Sequence, residues 1–147
     1  VERSKAEAHC FGTFDVFCQG APLRFGRRKT KELMAYLIDR RGARCTVGEI
    51  MDVLWEDGVA TDSRRAQVRN FISDMRQTLA AVGAQDVIVR ERDSRAVVPE
   101  LIDCDYYCYL QGSASAGVQY RGEYMAQYSW AEDARGLLGG RVGTHDL

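Results

Sequence analysis

The stretch "SRRAQVRNFISDMRQTLAAVG", from Ser63 to Gly83, combines helical spacing with an unusual choice of polar residues. Val68, Ile72, Met75 and Leu79 recur at the spacing of one helical face. Away from that stripe stand Gln67, Asn70, Asp74 and the arginines Arg64, Arg65, Arg69 and Arg76. Arginine and the side-chain amides present paired hydrogen-bonding groups that match base edges, and guanidinium and ammonium groups match phosphates. A surface helix with nothing to bind has no need of this selection, so one face is read as packing and the other as available for recognition.

The flanking segments carry the same chemistry. "RRKTKELMAYLIDRRG" is read as a helix whose first turn holds Arg28, Lys29 and Lys31. Cations there oppose the helix dipole, a cost that an incoming anion would relieve. Further on, "VIVRERDSRAVV" reads as two short strands around the polar tip "ERDSR", which places Arg92, Ser94 and Arg95 on or beside a hairpin.

Catalytic and metal-binding sets are absent as motifs. His9 and His145 lie near opposite ends, and there is no GxSxG, no glycine-rich phosphate loop and no HxxE-type metal spacing. The five cysteines form no CxxC pair, and their odd count and wide spacing do not make a disulfide framework. They are read as reduced thiols. Cys104 and Cys108, four apart without nearby histidines, make a poor metal pair. The expectation is a protein that is not an enzyme and needs no cofactor or metal.

The 147 residues suit one domain with an appendage, and 46% hydrophobic residues are enough for a real core. No run is long and apolar enough to cross a membrane, and the start "VERSKAEAHC" lacks the apolar centre of a signal peptide. The expected setting is cytoplasmic, with no membrane contact. The formal net charge is −1, but it is unevenly spread. Residues 24–76 hold twelve Lys and Arg against eight Asp and Glu, whereas residues 77–147 hold six against ten. A polyanion would suit the first part and not the second.

The elements that must position these residues follow from the pattern. "HCFGTFDVFCQGAPLRF" predicts two antiparallel strands turning at "CQGAP", ahead of the basic helix with Leu33, Met34, Leu37 and Ile38 inside. "ARCTVGEIMDVLWED" predicts a short extended piece and a helix capped by Thr46 with Glu49. The loop "GVATD" leads to the third helix, with Thr61, Asp62 or Ser63 as its cap, and then the hairpin. "DCDYYCYLQG" and "YRGEYMAQYSWAEDARGLL" predict two further helices, and Trp55 and Trp130 are read as core. The expected fold is α+β: a winged helix with N-terminal strands, a three-helix helix-turn-helix core, a C-terminal hairpin wing and a short helical extension. The division is linker 1–8, winged helix 9–99, extension 100–138 and flexible tail 139–147.

In order and content, "LRFGRRKTKELMAYLIDRRGARCTVGEIMDVLWED", "VRNFISDMRQTL" and "VIVRERDSRAVV" resemble the DNA-binding domain of OmpR/PhoB-type regulators. The similarity is greatest to the variant in the SARP group and in response regulators that carry this effector. The segments after Val98 resemble the opening of the bacterial transcriptional activation domain. The resemblance implies a sequence-specific DNA-binding effector domain of a bacterial transcriptional regulator, the C-terminal part of a two-component response regulator acting in a phosphorelay. It places Gln67, Asn70 and Asp74 toward the bases of double-stranded DNA. Arg28, Lys29, Lys31, Arg64, Arg65, Arg69, Ser73, Arg76, Arg92, Ser94 and Arg95 fall on or beside the backbone. It also implies binding as a dimer on repeated half-sites, and contact with RNA polymerase through the loop from Glu56 to Asp62. Asp74 departs from the arginine common at that position, and the wing lacks the usual "GxGY" ending. The competing reading is a winged-helix protein-protein interaction module without DNA binding, which the acidic second half and Asp74 would suit.

Overall fold

In the computed structural model, residues 6–112 and 123–132 are described. The chain opens on strands β1 (Ala6–His9), β2 (Asp15–Cys18) and β3 (Ala21–Pro22). Alternation sets their inner face: Ala6, Ala8, Val16 and Cys18 are buried, while His9 and Phe17 meet on the other face. The β2–β3 connection is a two-residue turn in which Gln19 and Gly20 both have positive φ, 53° and 80°. That geometry follows the right-handed strand twist, and it suits glycine at the second position.

Helix α1 (Arg28–Asp39) buries Leu33, Met34, Ala35, Leu37 and Ile38, together with Thr30. The short strand β4 (Cys45–Thr46) leads directly into α2 (Val47–Leu54), whose N-terminus is capped by the Thr46 hydroxyl accepting from Glu49 N–H at 3.1 Å. Helix α3 (Asp62–Ala80) starts in the same way, with Thr61 accepting from Arg64 N–H at 3.1 Å. The hairpin of β5 (Ile88–Glu91) and β6 (Ser94–Val97) follows, and β4 joins its other side in the order β4-β6-β5. Strand β7 (Ile102–Cys104) and helix α4 (Asp105–Leu110) come last.

The mixed α+β character, the two strands at "CQGAP", the three central helices and the hairpin stand where the sequence puts them. Four details differ. Ala6–Ala8, within the stretch assigned to the linker, forms most of β1. It looks like a charged tether because Ala, Glu and Ala carry no strong strand signal, but β7 supplies a parallel partner with Ala6 opposite Ile102 and Ala8 opposite Cys104. The hairpin tip is also shorter than "ERDSR": Glu91 pairs with Ser94, leaving only Arg92 and Asp93 in the turn, with Arg92 at φ 53°.

The third difference concerns the second predicted extension helix. Over residues 123–131 there is no α-helix: Tyr124 bridges to Phe11, Ser129–Ala131 makes a 3₁₀ turn, and Glu132 is the first helical residue of the predicted segment. Met125 has φ 43°, which interrupts helical geometry, and its N–H donates to the Cys10 carbonyl at 2.7 Å. Leu137 and the tail 139–147 lie outside the described residues. Finally, the described residues after 99 are built into the main fold rather than appended to it. β7 completes the first sheet in the order β3-β2-β1-β7, and Ile102, Cys104, Tyr124 and Met125 belong to the same buried cluster as Leu33, Leu37 and Met75.

Candidate nucleic-acid interface

Helix α3 presents two surfaces set by its sequence period. Val68, Phe71, Ile72, Met75 and Leu79 are buried against α1 and α2. Gln67, Arg69, Asn70, Ser73, Arg76 and Gln77 are exposed. The exposed residues divide into flanks, because steps of 100° carry Arg69 and Arg76 toward the hairpin and Asp74 toward the approach to α1.

On the hairpin side, α3 and β5–β6 enclose an open groove of about 800 Å³. Arg69, Ser73, Arg76 and Gln77 line it from the helix, and Arg90 and Arg95 from the strands. Asp86 and Asp93 line it as well. Arg95 is 8% exposed, with its Nη1 donating to the Ser94 carbonyl at 3.0 Å. Its Nε is buried and has no hydrogen-bond partner among the described residues. Burial lowers the pKa of this guanidinium, and the positive charges of Arg90, Arg76 and Arg69 push the same way against a smaller opposing pull from Asp93. Four guanidinium groups therefore converge on one groove, and an anion there would supply both counter-charge and a missing acceptor.

The other flank is different. An added Cβ on Gly26 would come within 2.9 Å of Asp74 Oδ1, so that carboxylate lies directly beneath the loop entering α1. Its Oδ2 is buried without a hydrogen-bond partner among the described residues. Asp74 is thus half-buried and turned to the 24–27 loop, whereas Gln67 and Asn70 stand in the open. The sequence does not show this because the partner, a glycine, lies far away in the chain.

At the start of α1, Arg28 is exposed, but its two basic neighbours have protein partners. Lys29 donates to the Leu54 carbonyl at 2.5 Å, closing the end of α2, and its ammonium lies 5.1 Å from the Trp55 ring centroid. Lys31 pairs with Asp15 at 3.2 Å. No acidic residue occupies the first turn of α1, and Arg27 at its N-cap makes no side-chain capping bond. Arg27 instead places its guanidinium over Phe71, 5.7 Å from the centroid.

Arg64 also has an internal task. Its Nη1 and Nη2 donate to the two oxygens of Asp57 at 2.6 and 2.9 Å, and Nη1 also donates to the Val59 carbonyl at 2.7 Å. The two bonds from Arg64 to Asp57, with Val59 N–H donating to the same carboxylate at 2.9 Å, push its pKa down to about 2. The guanidinium stacks over Trp55 at 5.1 Å, and Trp55 stacks on Phe71 at an interplanar angle of 28°. The loop between α2 and α3 is braced from within and presents Val59, 54% exposed, at its outer edge.

The structure therefore brings Arg69, Ser73, Arg76 and Arg95 together and leaves Gln67 and Asn70 exposed beside them. Arg65 is half-buried on the same helix, and Arg92 is exposed at the hairpin turn. Ser94 donates its hydroxyl to the Glu91 carbonyl at 2.7 Å and so closes that turn. Lys29, Lys31, Arg64 and Asp74 are engaged with, or turned toward, other parts of the protein. Two residues were missed, Arg27 and Arg90. Arg90 was legible in principle, since it stands opposite Arg95 in the hairpin register.

No family model matches the sequence, and no curated protein matches it. Among solved structures, the chain is similar to Mycobacterium tuberculosis EmbR, solved in complex with a low-affinity phosphopeptide, at a TM-score of 0.74 and 18% identity. The match covers 97% of this chain and 44% of the EmbR chain, so the chain spans less than half the length of that protein. At this identity the likeness concerns fold alone, and it supports the mixed α+β arrangement.

Proposed function

We propose that this chain is a sequence-specific DNA-binding region of a bacterial transcriptional regulator, with α3 lying in the major groove of a duplex. The observation that carries the reading is the convergence of Arg69, Arg76, Arg90 and Arg95 between the exposed face of α3 and the hairpin. A helix with a basic groove alongside fits a duplex: the helix meets base edges, and the groove meets the adjoining backbone. Gln67 and Asn70 are the base-reading candidates, since both side chains can bond adenine in two places. Arg28, Arg65 and Arg92 add backbone contacts at the margins, and a dimer on repeated half-sites would multiply them.

The loop between α2 and α3 suits contact with RNA polymerase, because Arg64 and Asp57 fix its shape while Val59 stays exposed. A two-component setting rests on the sequence resemblance. The competing reading, a protein-interaction module, draws on one observation: Lys29, Lys31 and Arg64 are engaged by partners within the chain itself.

Selection of bound duplexes from a random pool tests the proposal. An enriched motif, lost when Gln67 and Asn70 are replaced by alanine, is the expected outcome. Recovery of an unenriched pool, or no recovery at any salt concentration, would favour the interaction module.

A further inference from the structure

The buried thiols of Cys10 and Cys104 lie 3.5 Å apart, at the ends of the paired strands β1 and β7. The structure also places the Asp105 carboxylate in the same cluster, with its oxygen and the two sulfurs all within 4.8 Å of one another. That carboxylate accepts from Cys10 N–H at 2.8 Å, Phe11 N–H at 3.1 Å and Tyr106 N–H at 2.7 Å. Three of its roughly four acceptor positions are therefore filled, which makes it a poor donor to a metal ion while leaving room for one proton. Cys10 is fully buried, and burial followed by the hydrogen bond to Cys104 raises its pKa well above the ordinary value. Cys104 borders an open pocket of about 480 Å³, lined also by Arg41, Asp103, Tyr107 and Cys108. Cys10 does not line that pocket, so a small solute there meets Cys104, 3% exposed, or the half-buried Cys108, and not Cys10.

We propose that Cys10, Cys104 and Asp105 form a dithiol site that reacts with small hydroperoxides and closes to a disulfide joining β1 to β7. Cys104 Sγ attacks the terminal oxygen of ROOH. An S–O bond forms, the O–O bond breaks, and the thiol proton passes to the leaving alkoxide, giving a sulfenic acid and ROH. Cys10 Sγ then attacks Cys104 Sγ. The S–S bond forms, the S–O bond breaks, and the hydroxide leaves as water with the Cys10 proton. The peroxide has gained two electrons and the thiol pair has lost them. Because the residues are 94 apart in sequence, the new bond closes most of the chain into one loop, and it fastens the first strand to the last at the edge of the common core.

The test uses the full chain, reduced and then exposed to hydrogen peroxide, with remaining thiols alkylated in denaturant before peptide mapping. The expected result is a linked pair of peptides containing Cys10 and Cys104 and an intact mass lower by about 2 Da before alkylation. Cys18 and Cys45 should be recovered as alkylated thiols. Melting temperature should rise on oxidation, on the order of 10 °C, and fall again with dithiothreitol. Cys10→Ala should abolish the linked peptide and leave Cys104 oxidised beyond the sulfenic state, since its resolving thiol is gone. Linkage of Cys104 to Cys108 instead, or modification of Cys108 alone in the wild-type chain, would overturn the proposal. The wild-type map is decisive even if Cys10→Ala does not fold.

Discussion

Arg90 and Arg95 stand directly opposite each other across the β5–β6 hairpin, two cations paired in register. Like charges in that relation destabilise a sheet by roughly 0.2–1 kcal/mol. Arg95 adds the cost of a buried donor without an acceptor. A fold that keeps both arginines holds a local conflict that an anion in the adjoining groove would resolve. Replacing Arg95 with Met should therefore raise unfolding free energy by about 1 kcal/mol while weakening duplex binding about tenfold. Denaturant melts and titrations of the same variant would show the two effects moving in opposite directions. A variant that loses stability and retains affinity would assign Arg95 to packing alone.

Asp74 lies against Gly26, turned to the loop before α1. Its charge should act on DNA as a diffuse repulsion and make no hydrogen bond to a base. Asp74→Ala is expected to tighten binding to all duplexes by about two- to fivefold, without changing preference at any base pair. It should also be neutral or stabilising by about 1 kcal/mol, because it removes a buried oxygen with no partner. Binding profiles over a set of single-base variants would reveal a base contact as relaxation confined to one position.

The Asp57 carboxyl titrates at about 2 in the folded chain, because Arg64 donates to both of its oxygens and Val59 N–H adds a third bond. The ordinary value for an aspartate is 3.8. A depressed folded value contributes stability that is present above about pH 4 and is lost as pH falls toward 2. The pair is solvent-exposed, so added salt should weaken it. Carboxyl NMR titration of Arg64→Ala should return Asp57 close to 3.8, with the loop between α2 and α3 showing the largest accompanying shifts. An unchanged midpoint would separate Arg64 from the bracing of this loop.

Tyr124 has no exposed surface, packs against Tyr106 and donates its hydroxyl to Asp39 at 2.6 Å. Burial raises the Asp39 pKa, and this bond partly opposes the rise. Tyr124→Phe should cost about 1 kcal/mol, and Tyr124→Ala about 3–5 kcal/mol, through the lost ring and the cavity it leaves. Ending the chain after residue 99 should prevent cooperative folding, since it removes β7 along with Tyr124 and Met125. A cooperative thermal transition in that shortened chain would restore the boundary the sequence suggested.

What was legible in the sequence was what repeats over short distances. Val68, Ile72, Met75 and Leu79 share one face at helical period, Thr46 and Glu49 stand at cap spacing, and "CQGAP" carries turn chemistry; all three features are in the structure. The parallel pairing of β1 with β7 was hidden, because Ala6 and Ala8 are weak strand formers that acquire a register only from Ile102 and Cys104. The candidate groove was half visible. Arg69 and Arg76 could be put on one side of α3 by counting, but Arg90 gains its place only from the hairpin register. The internal engagement of Lys29, Arg64 and Asp74 depends on contacts with Leu54, Asp57 and Gly26 that residue type alone does not encode.

The salt dependence of duplex binding bears most directly on the central claim. If Arg69, Arg76, Arg90 and Arg95 meet the phosphate backbone, about four contacts give a log–log slope near −3.6, or about 150-fold weaker binding at 200 mM salt than at 50 mM. Arg90→Ala should reduce the magnitude of that slope by about one. A slope near zero, or one that Arg90→Ala and Arg76→Ala leave unchanged, would contradict the account.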